Sequence, residues 1–238
     1  MYTGRVGRQR RLPRDRFPGA RVASMEVERI AEGLWRWTTR HPEWAPEADW
    51  PPKVGCVYYE APAAVVLIDP LVPAEREERD AFWGALDRDV ENAARPLAVL
   101  LTVFWHERSA QEVADRYDGA TLWAHESALD RLDARVTNPF RAGARLPGGV
   151  EALDADRRDE VLLWIAEHRT LVAGDVLLGA EHGGVRVCPD SWLPDGVDPR
   201  DFHAGLERLL DLPIERILVS HGEPVLANGR DALARALA

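Results

Sequence analysis

Leu97-Ala98-Val99-Leu100-Leu101-Thr102-Val103, running on into Phe104-Trp105-His106-Glu107-Arg108-Ser109, is the stretch whose reading decides the fold. The first part is a short apolar run with no polar alternation, the pattern of a strand covered on both faces. It passes directly into aromatic, imidazole and charged side chains, and Ala110–Tyr117 then has helical composition. A strand–loop–helix unit of this kind belongs to a sheet with helices packed outside it. Open α/β sheets place ligands at the carboxyl ends of such strands.

Outward on the amino-terminal side, Val54–Tyr59 and Ala63–Ile68 are β-type runs joined by Glu60-Ala61-Pro62, a hairpin spacing. Asp69-Pro70 ends the second. Residues 74–94 place Phe82, Leu86 and Val90 on one face of an amphipathic helix. Ahead of these, Ile30–Thr39 reads as one twisted early strand, followed by a proline- and tryptophan-rich loop, residues 41–53, with Trp44 and Trp50.

On the carboxyl-terminal side, Thr121–Ala124 reads as a strand and Ser127–Arg135 as a helix capped by Ser127. Residues 136–148 are loop-like. Val150–Leu153, Glu160–Ala166 and Thr170–Ala173 read as strands in hairpins. Gly174-Asp175 closes the last of them, and a Gly/Pro-rich irregular loop carrying His182, Asp190 and Trp192 extends to about Pro199. Asp201–Leu212 reads as a helix, Arg216–Val219 as a buried strand ending in Ser220-His221-Gly222, and Gly229–Ala238 as a terminal helix. Hairpins, then βα units, then hairpins and a last βα unit describe sheets packed together with helices outside.

Apolar residues make up 46% of the 238 and charged residues 29%, an ordinary globular balance with no run suited to crossing a bilayer. The net charge of −10 repels a nucleic-acid backbone and argues against nucleic-acid processing. The exception is residues 1–24, where Arg5, Arg8, Arg10, Arg11, Arg14, Arg16 and Arg21 face one acid, Asp15. That segment reads as a disordered or mis-assigned extension, with residues 25–238 forming a single domain. Arg10-Arg11 is followed by no apolar stretch of an export signal. Cys56 and Cys188 form no close ligand pair and read as buried thiols, which fits a reducing, cytoplasmic setting.

Three strand-end signals fall in order: Val66-Leu67-Ile68-Asp69, Leu171-Val172-Ala173-Gly174-Asp175 and Ile217-Leu218-Val219-Ser220-His221-Gly222. Over roughly residues 27–225 their order and spacing resemble the metallo-β-lactamase superfamily. The resemblance implies an α/β fold, the αββα sandwich, with a metal-binding His-x-His-x-Asp-His loop after a buried strand. Matched position by position, that loop departs from the family pattern. Its two spaced histidines become Val103 and Trp105, its aspartate Glu107 and its closing histidine Arg108, with His106 one place off register. The family's middle histidine finds only Leu146-Pro147-Gly148-Gly149. What survives is Asp175, which in the family bridges two metals, and His221, which belongs to the second metal site. Asp69 matches a supporting aspartate.

A zinc site needs three or four ligands, so two survivors do not make a dinuclear centre. The expectation is a non-catalytic or small-ligand-binding descendant of a hydrolase without a cofactor. In it Trp105 and Arg108 occupy the former metal cavity, Arg108 or backbone donors hold Asp175, and His182 and Trp192 border a ligand pocket. The alternative is a hydrolase of ester, thioester or amide bonds. There His106 and Glu107 form the catalytic acid–base pair, and His106, Glu107, Asp175 and His221 hold a single zinc or other divalent metal. His41, His168 and His203 carry no pattern, and His125 reads as a helix-entry residue.

Overall fold

The computed structural model of the chain describes residues 25–157 and 159–238, so the expectation for residues 1–24 lies outside it. Strands β1 (Glu26–Ala31) and β2 (Leu34–Arg40) form an antiparallel hairpin. The single early strand expected from Ile30 is thus two. The chain reverses at Glu32-Gly33, where Gly33 takes φ +73°, a conformation that costs glycine little. Strands β3 (Lys53–Glu60) and β4 (Val65–Ile68) continue the meander. Helix α1 (Arg76–Ala93), β5 (Leu97–Leu100), α2 (Ala110–Arg116), β6 (Thr121–His125) and β7 (Asn138–Phe140) then add parallel strands. The result is a seven-stranded sheet in sequence order.

The second sheet has the order β13-β10-β9-β8, built from β8 (Glu151–Asp154), β9 (Val161–Ile165), β10 (Thr170–Ala173) and β13 (Arg216–Val219). Between β10 and β13 lie a hairpin, β11 (Leu177–Ala180) with β12 (Gly184–Val187), and helix α3 (Pro199–Leu206). Helix α4 (Gly229–Leu237) closes the described chain.

Three apolar layers hold this together, and the apolar runs explain them. In β4, Val65 and Leu67 face Phe82, Leu86 and Val113 of the first helix layer, while Val66 and Ile68 point the other way, into the space between the sheets. There they meet Leu163, Ile165, Val172 and Leu218. Leu162, Trp164, Leu171 and Ile217 turn outward onto Phe202, Leu206 and Leu233 of α3 and α4. A strand buried on both faces has no polar alternation to display. The layering is helix, sheet, sheet, helix, the αββα sandwich expected from the sequence.

Four local expectations are corrected. Ser127–Arg135 is not a helix: a 3₁₀ turn covers Glu126–Arg131, and its cap is the His125 ring, which accepts from the Ser127 N–H at 3.3 Å. Only Ala128 of that turn is buried, so no apolar face exists to extend it. The stretch 136–148 contains β7, and the long irregular loop contains β11 and β12, whose Leu177, Leu178, Val185 and Val187 are core residues. Asp201–Leu212 divides into α3, which starts earlier because Asp198 caps it through the Arg200 N–H at 2.8 Å, and a 3₁₀ turn over Glu207–Asp211.

The two sheets meet along a seam that also frames the site. The Gly55 N–H donates to the Ser220 carbonyl at 2.7 Å, and Val54 bridges His221. Val103 bridges Glu160 on the other side. A Cβ at Gly55 would lie 2.6 Å from the Val219 carbonyl oxygen and 2.8 Å from Arg36 Nε, so backbone would have to move. Gly55→Ala should therefore cost about 1–3 kcal/mol and lower the thermal midpoint by at least about 2 °C. A circular-dichroism melt checks this, and an unchanged midpoint would show that the seam yields freely.

Candidate metal centre

The site begins with Asp69, which ends β4 with φ +49° and donates its N–H to the Leu100 carbonyl at 3.0 Å. Its buried carboxylate accepts from the Thr102 N–H at 2.9 Å, the Thr102 hydroxyl at 2.5 Å and His106 Nδ1 at 2.9 Å. After Val103 the chain winds into a 3₁₀ turn over Phe104–His106, and this turn swings His106 inward. Its displacement from the expected register is made good by geometry. With Nδ1–H committed to Asp69, Nε2 is the nitrogen presented to the site, the way a supporting carboxylate sets a ligand histidine.

Asp175 follows Gly174 at the end of β10. Its own N–H and that of Val176 donate to Glu160 Oε1 at 2.6 and 2.9 Å, which fixes the backbone. Gly174 has no room for a side chain: a Cβ would lie 2.5 Å from Thr102 Oγ1. Asp175 Oδ2 accepts from the Trp105 indole N–H at 2.6 Å. Oδ1 faces His106 Nε2 at 3.4 Å and His221 Nε2 at 3.2 Å but has no aligned hydrogen-bond donor. His221 comes from the turn after β13, where Gly222 takes φ +85° against the backbone of Gly179. One atom from each of His106, Asp175 and His221 lies within 4.8 Å of the others, and this is the one such group among the described residues.

Burial and the Arg108 charge pull the His106 pKa down, but Asp175 and Asp69 together outweigh them, and the net shift is upward. For His221 burial dominates, and the neighbouring His106 and Arg108 charges add to it against the pull of Asp175, leaving a lowered pKa. Asp175 is buried, yet the two imidazoles hold its carboxyl well below the usual range. Burial and Asp175 push Glu160 up to about 7. His41 is lowered to about 4 by burial and by Arg108, His106 and His221.

The triad opens into a cavity of about 380 Å³ walled by Trp50, Trp105, Trp192, His41, Arg108 and Arg157. Of the expected site residues, Trp105, His106, Arg108, Asp175, Trp192 and His221 all reach it. Two do not. The Glu107 carboxylate accepts from the Asp133 N–H at 2.9 Å, on the far side of the turn, so it forms no acid–base pair with His106. His182 is exposed in the β11–β12 turn and does not line the cavity. Nor does Arg108 hold Asp175: it donates to Ser220 Oγ at 2.7 Å and to the Asp69 carbonyl at 3.1 Å. Trp105 forms a wall and keeps 38% of its surface exposed, so it does not plug the cavity.

Glu160, Arg157, His41 and Trp50 were not singled out by motif. Trp50 lies against the His221 ring at 5.1 Å, and Trp192 binds Asp49 through its indole N–H at 2.6 Å, joining two loops over the site. A charged residue heading an otherwise apolar run, as Glu160 does, was the available signal. His125, His168 and His203 lie outside the cavity, His168 against Tyr59 at 5.4 Å.

Two imidazole nitrogens and one carboxylate oxygen suit a single zinc or similar divalent cation with coordination positions left over. Asp175 Oδ1, faced by both Nε2 atoms yet without an aligned hydrogen-bond donor, is what makes the fit specific. Val103 is buried and apolar and offers no donor.

No protein-family model and no curated protein matches the sequence. Solved structures do. The metallo-β-lactamase from Pontibacter korlensis aligns with TM-score 0.63 at 16% identity over 90% of this chain and 97% of its own. The metallo-β-lactamase from Hirschia baltica gives 0.64 at 16% identity over 90% and 97%. That from Erythrobacter litoralis gives 0.63 at 18% identity over 91% and 96%. The chain therefore has the metallo-β-lactamase fold.

The pKa shifts give a signed prediction for cation-free protein. A histidine whose folded pKa is raised contributes stability that is full below its unfolded value, about 6.5, and is lost as pH rises through the folded value. Glu160 acts in the same direction, since burial and Asp175 push its carboxyl up to about 7, where its effect ends. The thermal midpoint of wild type should thus fall as pH rises from about 6.5, and His106→Gln should make that fall shallower. Identical slopes in the two proteins would contradict the assignment.

Proposed function

We propose that the protein is a hydrolase of a small ester, thioester or amide, using one divalent cation held by His106, Asp175 and His221 in place of a dinuclear centre. The observation that carries this reading is the convergence of three ligand atoms within 4.8 Å, with His106 set by Asp69. The non-catalytic reading required Trp105 and Arg108 to fill the cavity, and both instead line it.

What the cation supplies when bound is a Lewis acid for a carbonyl and a water of lowered pKa. The chain's own residues do the rest. Asp69 keeps the His106 ring in one tautomer and orientation, and Trp105 keeps Asp175 Oδ2 occupied so that Oδ1 is the oxygen presented. His41 Nδ1 accepts from the Glu43 N–H at 3.3 Å, which leaves its Nε2–H as a neutral donor on the cavity wall. The Arg108 guanidinium holds fixed positive charge beside the site, where negative charge develops on an attacked carbonyl oxygen. The tryptophan walls limit bulk water.

Elemental mass spectrometry of protein purified without chelators should find close to one equivalent of divalent metal, falling to background in Asp175→Ala/His221→Ala. Esterase and thioesterase turnover should disappear with it. Asp69→Asn should weaken metal binding by about 10- to 100-fold while the fold persists. Folded, metal-free wild type that gains no turnover from added zinc, manganese or iron would return the reading to a ligand-binding protein.

A further inference from the structure

Arg157 stands out among the cavity residues because its guanidinium is mostly buried and mostly unused. The side chain lies in the connection between β8 and β9 and is 9% exposed. Its one protein partner for hydrogen bonding among the described residues is Glu160 Oε2, at 3.4 Å. That carboxylate is already committed through Oε1 to two backbone N–H groups, and the contact is long for a charge-assisted bond. The other guanidinium nitrogens make no hydrogen bond to the described protein, yet none is sealed in the core as an unpartnered atom. They keep some accessible surface, and Arg157 is one of the residues that line the cavity.

The group is also held in place. Its Cζ sits 4.8 Å from the centroid of the Trp105 ring, and the same indole donates to Asp175. Trp105 thus touches both the guanidinium and the triad. Arg108, by contrast, spends both terminal guanidinium nitrogens on Ser220 and backbone carbonyls, and its remaining Nε–H is sealed away from solvent. A buried cation with free forked donors, a flat aromatic support and a small cavity in front of it matches a compact oxyanion.

We infer that Arg157 is the receptor for an anionic group, a carboxylate or phosphate, carried by the small molecule that enters this cavity. The substrate of the proposed hydrolase is then an acidic one, its oxyanion on Arg157 and its scissile carbonyl toward His106, Asp175 and His221. This placement rests on the hydrolase reading, whereas the anion subsite itself does not.

The test is calorimetric titration of the full-length protein with succinate, with inorganic phosphate and with uncharged succinamide, each repeated on Asp175→Ala/His221→Ala to remove anions bound through a cation. Either anion should bind in both backgrounds and succinamide should not. Succinate alone would assign a carboxylate, phosphate alone a phosphate ester. Arg157→Gln should weaken binding by at least about tenfold. Arg157→Lys, which keeps charge beside Glu160 but loses the fork, should give an intermediate loss and guards against misfolding of the glutamine variant. Wild-type affinity in folded Arg157→Gln or Arg157→Lys, equal binding of succinamide, or anion binding lost in Asp175→Ala/His221→Ala would overturn the inference. Anion binding without ester turnover would retain the subsite and remove the hydrolase. Turnover without anion binding would do the reverse.

Discussion

The Asp69 carboxylate is the constraint on which the site depends. It ends β4 in a left-handed conformation and takes three donors, two from Thr102 at the end of the β5 segment and one from His106. A buried carboxylate is costly unless satisfied in this way. Satisfied, it ties the ends of two parallel strands to the 3₁₀ turn that follows them and sets the His106 ring. Thr102 in turn passes its carbonyl to the Val161 N–H at 2.9 Å, so the same residue reaches the second sheet. Fold and chemistry share one small network.

Around that network, two arginines hold the seam between the sheets, Arg36 buried and Arg108 half-buried. Arg36 donates to the carbonyl of Gly222 at 2.8 Å, and Arg108 to Ser220 and to the Asp69 carbonyl. Neither relies on a carboxylate partner. They neutralise carbonyl dipoles that gather where β3 begins and β4 and β13 end, and Gly55 lets the chains approach. Burial lowers the Arg36 pKa, which marks what enclosing this guanidinium costs. The return is a fixed position for Ser220-His221-Gly222, and hence for the His221 ring.

Much of the fold was legible because strands covered on both faces carry continuous apolar runs, as at Leu97–Leu100 and Val65–Ile68, and because Asp69, Asp175 and His221 sit at strand ends. What escaped followed from weaker signals. The β1 strand is largely exposed at a sheet edge, and β11 and β12 hide among glycines in a stretch whose local composition reads as loop. In the site, His106 was legible as a candidate, but its convergence with Asp175 and His221 was not, since a 3₁₀ turn changes which side chains point inward. Glu107 was misplaced for the same reason. Arg157 and Glu160 lie at a connection and strand start that no motif marks, and only the meeting of the two sheets brings them beside Asp175.

The balance between a relic and a working site turns on unpaired atoms. A centre converted to pure structure would be expected to close its hydrogen bonds, since each buried polar atom left without one costs about 1–3 kcal/mol. Here Asp175 Oδ1 and His221 Nδ1 are both buried and without a hydrogen-bond partner, while the rest of the Asp175 environment is fully engaged through Trp105 and Glu160. Oδ1 therefore lacks a hydrogen bond within a shell that fixes the rest of the residue. The Nε2 atoms of His106 and His221 face it from two sides. A shell in which Asp69, Trp105 and Glu160 aim one nitrogen and one oxygen at a point that His221 also faces is arranged as a ligand set is, around something that completes it.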